Sequence, residues 1–410
     1  MDRPQNDTIF TESIEYRSSS EQLMSQKLKH RLAYALAHRI APMILKKYDF
    51  ETDHFPPTDE NYLIMANHLT EVDMFMLMAA FPKLMYFVAG EHLLRSKSGK
   101  LMRWLQDPIF EPKGASSLSA VREILRRTQE GCSVAIFPEG SRSFNGETLT
   151  LADSVAKIAK RCGCGLVTYH IEGGYFVAPR WAYTFRVGPM RGRIVRVRSA
   201  DEVAAMTVRD LAEAINRELY ENAYETQRKN RYKYKGERLA EGLENYLVKC
   251  PRCGAFDTLT SEGSSFCCTE CGLAGTYTEE GFLEGESLPF DSVYDWGKWA
   301  ERETDAYIRD AGEEQACFTD GDIILSRIDP DHSKKQICRR SITGFKDRYE
   351  IGDKVFRFSG ITAISMLYFG KSLLFTCDGV YYEITGSKFH AIKYQKLFDR
   401  FMEDHNSKKA

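Results

Sequence analysis

A histidine and an aspartate five residues apart, His68 and Asp73 in MANHLTEVDMF, stand between two apolar runs at 62–66 and 74–80. An imidazole beside a carboxylate is the pair that general-base chemistry uses, because the ring takes the proton and the carboxylate fixes its orientation. A plainer part is open to the same residues, since Thr70 with Asp73 three positions on is close to a capping box at a helix start. A second group, SVAIFPEGSRSF at 133–144, runs an apolar strand into Pro138-Glu139-Gly140-Ser141-Arg142. Gly140 lets backbone approach a ligand closely, and Arg142 suits an anion gripped by two parallel hydrogen bonds. If the two strands are parallel neighbours, His68 and Glu139 leave the sheet at one edge, where open α/β sheets gather their ligands. A third group is CPRCG at 250–254 with CTECG at 268–272, 14 residues lying between Cys253 and Cys268. Cys250, Cys253, Cys268 and Cys271 make a four-thiolate set suited to one structural zinc, with rubredoxin-type iron or a redox pair as rivals. Cys267 adjoins Cys268, but the two-residue spacing to Cys271 selects Cys268. The remaining cysteines, single or in one Cys-x-Cys, read as buried thiols.

The elements that must position these groups alternate in α/β fashion. Apolar strands are predicted at 62–66, 84–89, 134–137 and 166–170, with helices at 117–130 and 153–160 between them. Continuous apolar strands predict a largely parallel sheet with helices on both faces. Before it, residues 22–48 carry six Lys or Arg and no acid, with Leu28, Leu32, Leu36, Ile40 and Met43 at helical spacing. This basic amphipathic helix fits either a core or the headgroup layer of an anionic membrane, and Pro42 is expected to kink or split it. A charged helix at 208–227 and a basic linker, RKNRYKYKGER, lead to the cysteine module at 247–280. The tail, 288–405, opens with a helix bearing Trp296 and Trp299. Closely spaced strands follow, with hairpin signals at Asp378-Gly379 and Gly370-Lys371, and then a last helix at 389–402. Many strands closed by one helix resemble a pleckstrin-homology-like small barrel.

Length and composition set the outer bounds. With 410 residues, two or three domains are expected. The balance of 56 basic and 58 acidic residues, −2 in sum, argues against nucleic acid, and residues 255–280 add five acids and no Lys or Arg around the cysteines. The acidic first 22 residues lack the pattern of a secretory signal, and no uninterrupted apolar run reaches membrane-spanning length. A cytoplasmic protein with reduced cysteines is the expectation.

Asn67-His68-x4-Asp73 followed by Phe137-Pro138-Glu139-Gly140-Ser141-Arg142-Ser143 resembles the first and third motif blocks of the glycerolipid acyltransferase family, which includes the 1-acylglycerol-3-phosphate acyltransferases. The resemblance covers about residues 20–220, within an acyltransferase domain expected at 1–235. It implies an acyltransferase-like sheet with flanking helices, to which the zinc ribbon and the mostly-β tail are added. It also implies that His68 is the general base and Asp73 its orienting carboxylate. Lys113, Glu139, Gly140, Ser141 and Arg142 are implied to bind the acceptor's phosphate and hydroxyls, with Glu139 also able to fix Arg142. The co-substrates implied are acyl-CoA or acyl carrier protein and a lysophospholipid, most simply lysophosphatidate. The place implied is the inner face of a membrane, held peripherally. Two departures mark a divergent member: Lys113 replaces the second block's arginine, keeping charge but losing the fork, and Thr168-Tyr169 replaces the fourth block's proline. They leave room for another lysolipid or an amino-acid-derived lipid as acceptor. A membrane-associated adaptor on a degenerate fold is the non-enzymatic alternative, against which the intact His68, Asp73, Glu139 and Arg142 speak.

Overall fold

The computed structural model describes residues 12–95, 97–111, 114 and 118–407, with side chains of the first helix described from Leu28 on. Lys113 lies outside the described residues. Seven strands form the first sheet: β1 (Phe50–Thr52), β2 (Tyr62–Ala66), β3 (Met85–Gly90), β4 (Ile109–Glu111), β5 (Ser133–Ile136), β6 (Gly165–Glu172) and β7 (Met190–Arg198). Their order is β1-β7-β6-β2-β5-β3-β4. β2 lies at the centre, parallel to β5 on one side and β6 on the other. Every residue of β2 and β5 is buried, as strands covered on both faces must be. β7 reverses direction against β6 and pairs in parallel with β1, so the strands from β6 to β4 run one way and β7 and β1 the other.

Alternate residues of β2 serve two cores. Ile64 and Ala66 face α1 (Glu12–Leu45) and α2 (Asp73–Ala80), whereas Leu63 and Met65 face the helices Leu118–Gln129, Asp153–Cys162 and Val208–Leu219. α1 runs through Pro42 without a break in the helix. Its buried face is Tyr34, Ala41 and Leu45, with Tyr34 Oη donating to Phe81 O at 3.0 Å. The stripe Leu28, Leu32, Leu36, Ile40 and Met43 is exposed, so the core-packing reading of that stripe is wrong.

The helix expected at 208–227 is two helices. Leu219 ends the first, and Asn222 caps the second, Ala223–Asn230, accepting from Tyr224 N and Glu225 N. The basic stretch after it is no free linker: Tyr234 is buried, stacks on Phe176 and donates to Pro189 O. Strands β8 (Leu259–Glu262), β9 (Ser265–Cys268), β10 (Ala274–Tyr277) and β11 (Leu283–Glu284) form the antiparallel cysteine module.

After the helix Val293–Asp310 the tail contributes β12 (Phe318–Ile328), β13 (Lys334–Gly344), β14 (Arg348–Ile351), β15 (Lys354–Arg357), β16 (Ile361–Leu367), β17 (Ser372–Cys377) and β18 (Val380–Thr385). They form one antiparallel sheet ordered β15-β14-β13-β12-β18-β17-β16, followed by the helix Ala391–Ser407. Asp378-Gly379 turns β17 into β18 with both residues at positive φ, as the hairpin signal requires. The tail is sewn to the first sheet by Arg95 on Glu383 (2.9 Å), His332 on Glu91 (2.7 Å) and Thr376 Oγ1 on Gly114 O (2.7 Å).

Candidate active site

Because β2 and β5 pair in parallel with Met65 opposite Ile136, the chain leaves both strands at one sheet edge. His68 and Glu139 therefore meet: the His68 N–H donates to Glu139 Oε1 at 2.8 Å. The imidazole stacks on Phe137, ring centroids 4.4 Å apart, and stays about a quarter exposed (26%). Its Nδ1 lies 2.9 Å from Asp73 Oδ2.

Asp73 is fully buried and opens α2, where the helix dipole favours a carboxylate. Its partners, however, belong to the loop before the helix: Oδ2 also accepts from Leu69 N (2.7 Å) and Thr70 N (3.0 Å), and Oδ1 from Thr70 Oγ1 (2.7 Å). The helix itself has Val72 as N-cap with no side-chain cap, so the capping-box reading of Thr70 and Asp73 does not hold. The carboxylate shapes the loop and orients the ring at once. Asn67 anchors that loop to β6 through both ends of its amide, donating to Ile171 O and accepting from Ile171 N.

Glu139 spans the edge rather than holding Arg142. Its second oxygen accepts from Leu149 N at 3.0 Å. Burial pushes its carboxyl up to about 7, against the downward pull of the two N–H donors. Gly140, at φ +69°, closes the turn by donating its N–H to Phe137 O. Its N–H is thus committed within the loop, and Ser141 is the half-buried residue beside it. Arg142 instead donates to exposed Glu71 at 2.9 Å, a pair that solvent weakens.

Two residues here were missed in the sequence. Glu71 sits inside the first block, and its charge next to Asp73 was the available signal. Arg180 follows β6 in an apolar context, FVAPRWAY, which is the mark of a buried arginine with a specific partner. It donates to Arg142 O (2.7 Å) and to Met366 O of the tail (2.8 Å) and lies over Phe144. Burial, and then the neighbouring Arg142, push its guanidinium below the usual range, yet it stays cationic at neutral pH. Thr168, at the fourth block, is buried and donates to Glu218, and Tyr169 fills the core under α2, so both residues standing in place of the fourth block's proline are engaged within the fold.

The four cysteines named above each bring a sulfur within 4.8 Å of the others. Cys250 and Cys271 are 3.6 Å apart and Cys253 and Cys268 3.8 Å, close to the edge of about 3.8 Å implied by a tetrahedron with Zn–S near 2.3 Å. Gly254 and Gly272 follow the knuckles at positive φ and donate back to Cys250 O and Cys268 O. The donor set fits a closed zinc site; Cys267 is exposed and stands outside it.

Comparison with known proteins gives the site a context. Residues 47–172 match a family model described as Acyltransferase. A 1-acyl-sn-glycerol-3-phosphate acyltransferase alpha of Mus musculus is 33% identical over 100 residues, covering 23% of this chain and 34% of that protein. A 1-acyl-sn-glycerol-3-phosphate acyltransferase of Borreliella burgdorferi is 26% identical over 125 residues, 30% of this chain and 50% of that protein. The chain thus spans between about a third and half of the length of these relatives. A solved 1-acyl-sn-glycerophosphate acyltransferase of Thermotoga maritima aligns with TM-score 0.39 and 20% identity over 45% of this chain and 78% of that one. The sequence matches support an acyltransferase domain in this chain, over residues 47–172.

Proposed function

We propose that the protein transfers an acyl group from a thioester donor, acyl-CoA or acyl carrier protein, to the hydroxyl of a lysophospholipid, most simply lysophosphatidate. The observation that carries this reading is the single hydrogen bond from His68 N to Glu139 Oε1, which fixes the two motif blocks as one constellation. With Nδ1 turned to Asp73, Nε2 is the base. It takes the proton from the acceptor hydroxyl as that oxygen attacks the thioester carbonyl carbon. The C–S bond then breaks, and the departing sulfur receives the proton from His68, leaving an ester and a thiol. Asp73 holds the ring and stabilises its cationic form. No covalent enzyme intermediate is needed, because the site's task is to bring two substrates together in the right pose.

Arg142 is the cation for the acceptor phosphate; its exposed partner Glu71 is easily displaced. Lys113 and the Ser141 backbone are the further donors in this reading. The exposed stripe of α1 supports a seat on a lipid surface. Leu101 and Trp104 of the helix Lys97–Gln106 extend it, Lys29 lies over the Trp104 ring, and Arg31, Arg39, Lys46 and Lys47 fringe it with positive charge. No helix among the described residues is long and apolar enough to cross a membrane. One zinc in the four-cysteine module has a structural part, since a closed thiolate site leaves no position for substrate.

The test is an acyl-transfer assay on purified protein over a panel of lysolipids with both donor types. Wild type should acylate lysophosphatidate, and His68→Ala should lose about 10²–10⁴ in rate, the range general-base catalysis supplies. Wild type inactive on every acceptor, or His68→Ala as active as wild type, overturns the reading.

A further inference from the structure

On β6, Tyr169 and Ile171 point into the core under α2, so His170 and Glu172 point to the opposite face of the sheet, where Thr168 meets Glu218. Glu221, in the break between the two helices Val208–Leu219 and Ala223–Asn230, comes up against them. One ligand atom from each of His170, Glu172 and Glu221 lies within 4.8 Å of the other two. We propose that these three side chains form a second metal site, for a divalent cation of the zinc class, separate from the four cysteines.

Two observations carry this beyond a polar cluster. His170 Nε2 and Glu221 Oε2 face each other at 3.2 Å without the alignment of a hydrogen bond, and Nε2 has no hydrogen-bond partner. Two atoms sharing a tetrahedral zinc at bond lengths near 2.0–2.1 Å sit about 3.3 Å apart, so the separation suits co-ligands. The second observation is Glu221 Oε1, which has no partner although the residue is only 4% exposed. A carboxylate oxygen buried without a donor is costly, and a cation satisfies it. Glu172 completes the set by bringing a carboxylate oxygen within 4.8 Å of the ligand atoms of His170 and Glu221. An imidazole and two carboxylates suit zinc or manganese, and three protein ligands leave a position for water.

The site has a route to the catalytic edge. Glu221 and Thr148 are bonded both ways, Thr148 N to Glu221 O and Glu221 N to Thr148 Oγ1, each at 2.9 Å. The next residue, Leu149, donates to Glu139, which in turn accepts from His68. An ion on Glu221 therefore stiffens the loop that sets the Glu139 turn. The metal site itself does not depend on the acyl-transfer reading.

The experiment is metal analysis of the full chain loaded with zinc and then dialysed. Glu221→Gln and His170→Ala should each hold one equivalent fewer than wild type. Loading with cobalt separates the sites, because only the cysteine module gives thiolate charge-transfer absorption, which both variants should keep. Glu172→Gln, at a half-buried position that tolerates change, should weaken competition against a chromophoric chelator at least about tenfold, in the range lost on perturbing a metal site. Wild type holding only metal that vanishes with the cysteines overturns the proposal. So does Glu221→Gln or Glu172→Gln binding as wild type does, which would leave the three side chains a polar cluster.

Discussion

At the scale of single residues, Asp73 has two tasks that one substitution separates. Its carboxylate accepts from His68, from the N–H groups of Leu69 and Thr70, and from the Thr70 hydroxyl. Asp73→Asn turns an amide N–H₂ toward donors, so at least one bond is lost and a buried donor is left unmet, a cost of about 1–3 kcal/mol. Chemical unfolding should show that loss, while kcat falls by on the order of 10²–10⁴ because the ring loses its orienting charge. A stability loss with kcat unchanged would leave Asp73 as loop scaffolding only. Glu139 gives a prediction in pH. Its folded-state carboxyl sits at about 7 against an ordinary 4.5, so the folded protein holds a proton that the unfolded chain releases. Stability from this group is complete below about pH 4.5 and is lost as pH climbs through about 7, on the order of 3 kcal/mol in all. Wild type should therefore lose stability relative to Glu139→Gln between pH 5 and pH 8 in matched urea titrations. Parallel curves would contradict the burial argument.

At the scale of elements, α1 presents one buried and one exposed face, and only the buried one is needed for folding. Tyr34, Ala41 and Leu45 hold it to the sheet, whereas Leu32 and Leu36 are more than half exposed at 65% and 61%. Leu32→Glu with Leu36→Glu should leave the melting temperature within a few degrees, as surface changes usually do, and should abolish co-sedimentation with phosphatidylglycerol vesicles. Retained binding by the double variant would move the lipid contact elsewhere. The periodicity of this helix was plain in the sequence, but its partner was not, because spacing tells which residues share a face and not what covers it. The central strands were legible for a related reason. YLIMA and SVAI are apolar without alternation, so they must be buried on both faces, and their meeting at one edge followed from parallel pairing. Short edge strands β1 and β4 left no such pattern in three residues each. The break at Tyr220 was hidden inside an apparently continuous helix, its signal being Asn222, a residue suited to cap a new start.

At the scale of the whole molecule, the cysteine module and tail are built into the first sheet's surroundings rather than hung from them. Asp257 of the module pairs with His390 and Lys393 of the tail, and Gly242 N and Ala240 N bind the module's Ser261 and Gly263. With zinc on the four cysteines, as proposed, its removal by a strong chelator should accordingly lower the unfolding temperature of the whole chain, by calorimetry, rather than melt one small module. Arg180 carries the corresponding argument for the active site. Its guanidinium bridges Arg142 O and Met366 O, so the tail fixes the backbone of the residue assigned to the acceptor phosphate. Arg180→Gln is too short to reach both carbonyls, and the Arg142 loop should loosen. The expected outcome is a KM for lysophosphatidate raised about tenfold, equivalent to about 1.4 kcal/mol of lost binding, with kcat changed less. Donor hydrolysis in the absence of acceptor should stay as in wild type, which separates a positioning effect from general damage. If KM for acceptor holds steady while only stability falls, Arg180 is a fastener between the tail and the sheet, and the tail has no part in reading the acceptor.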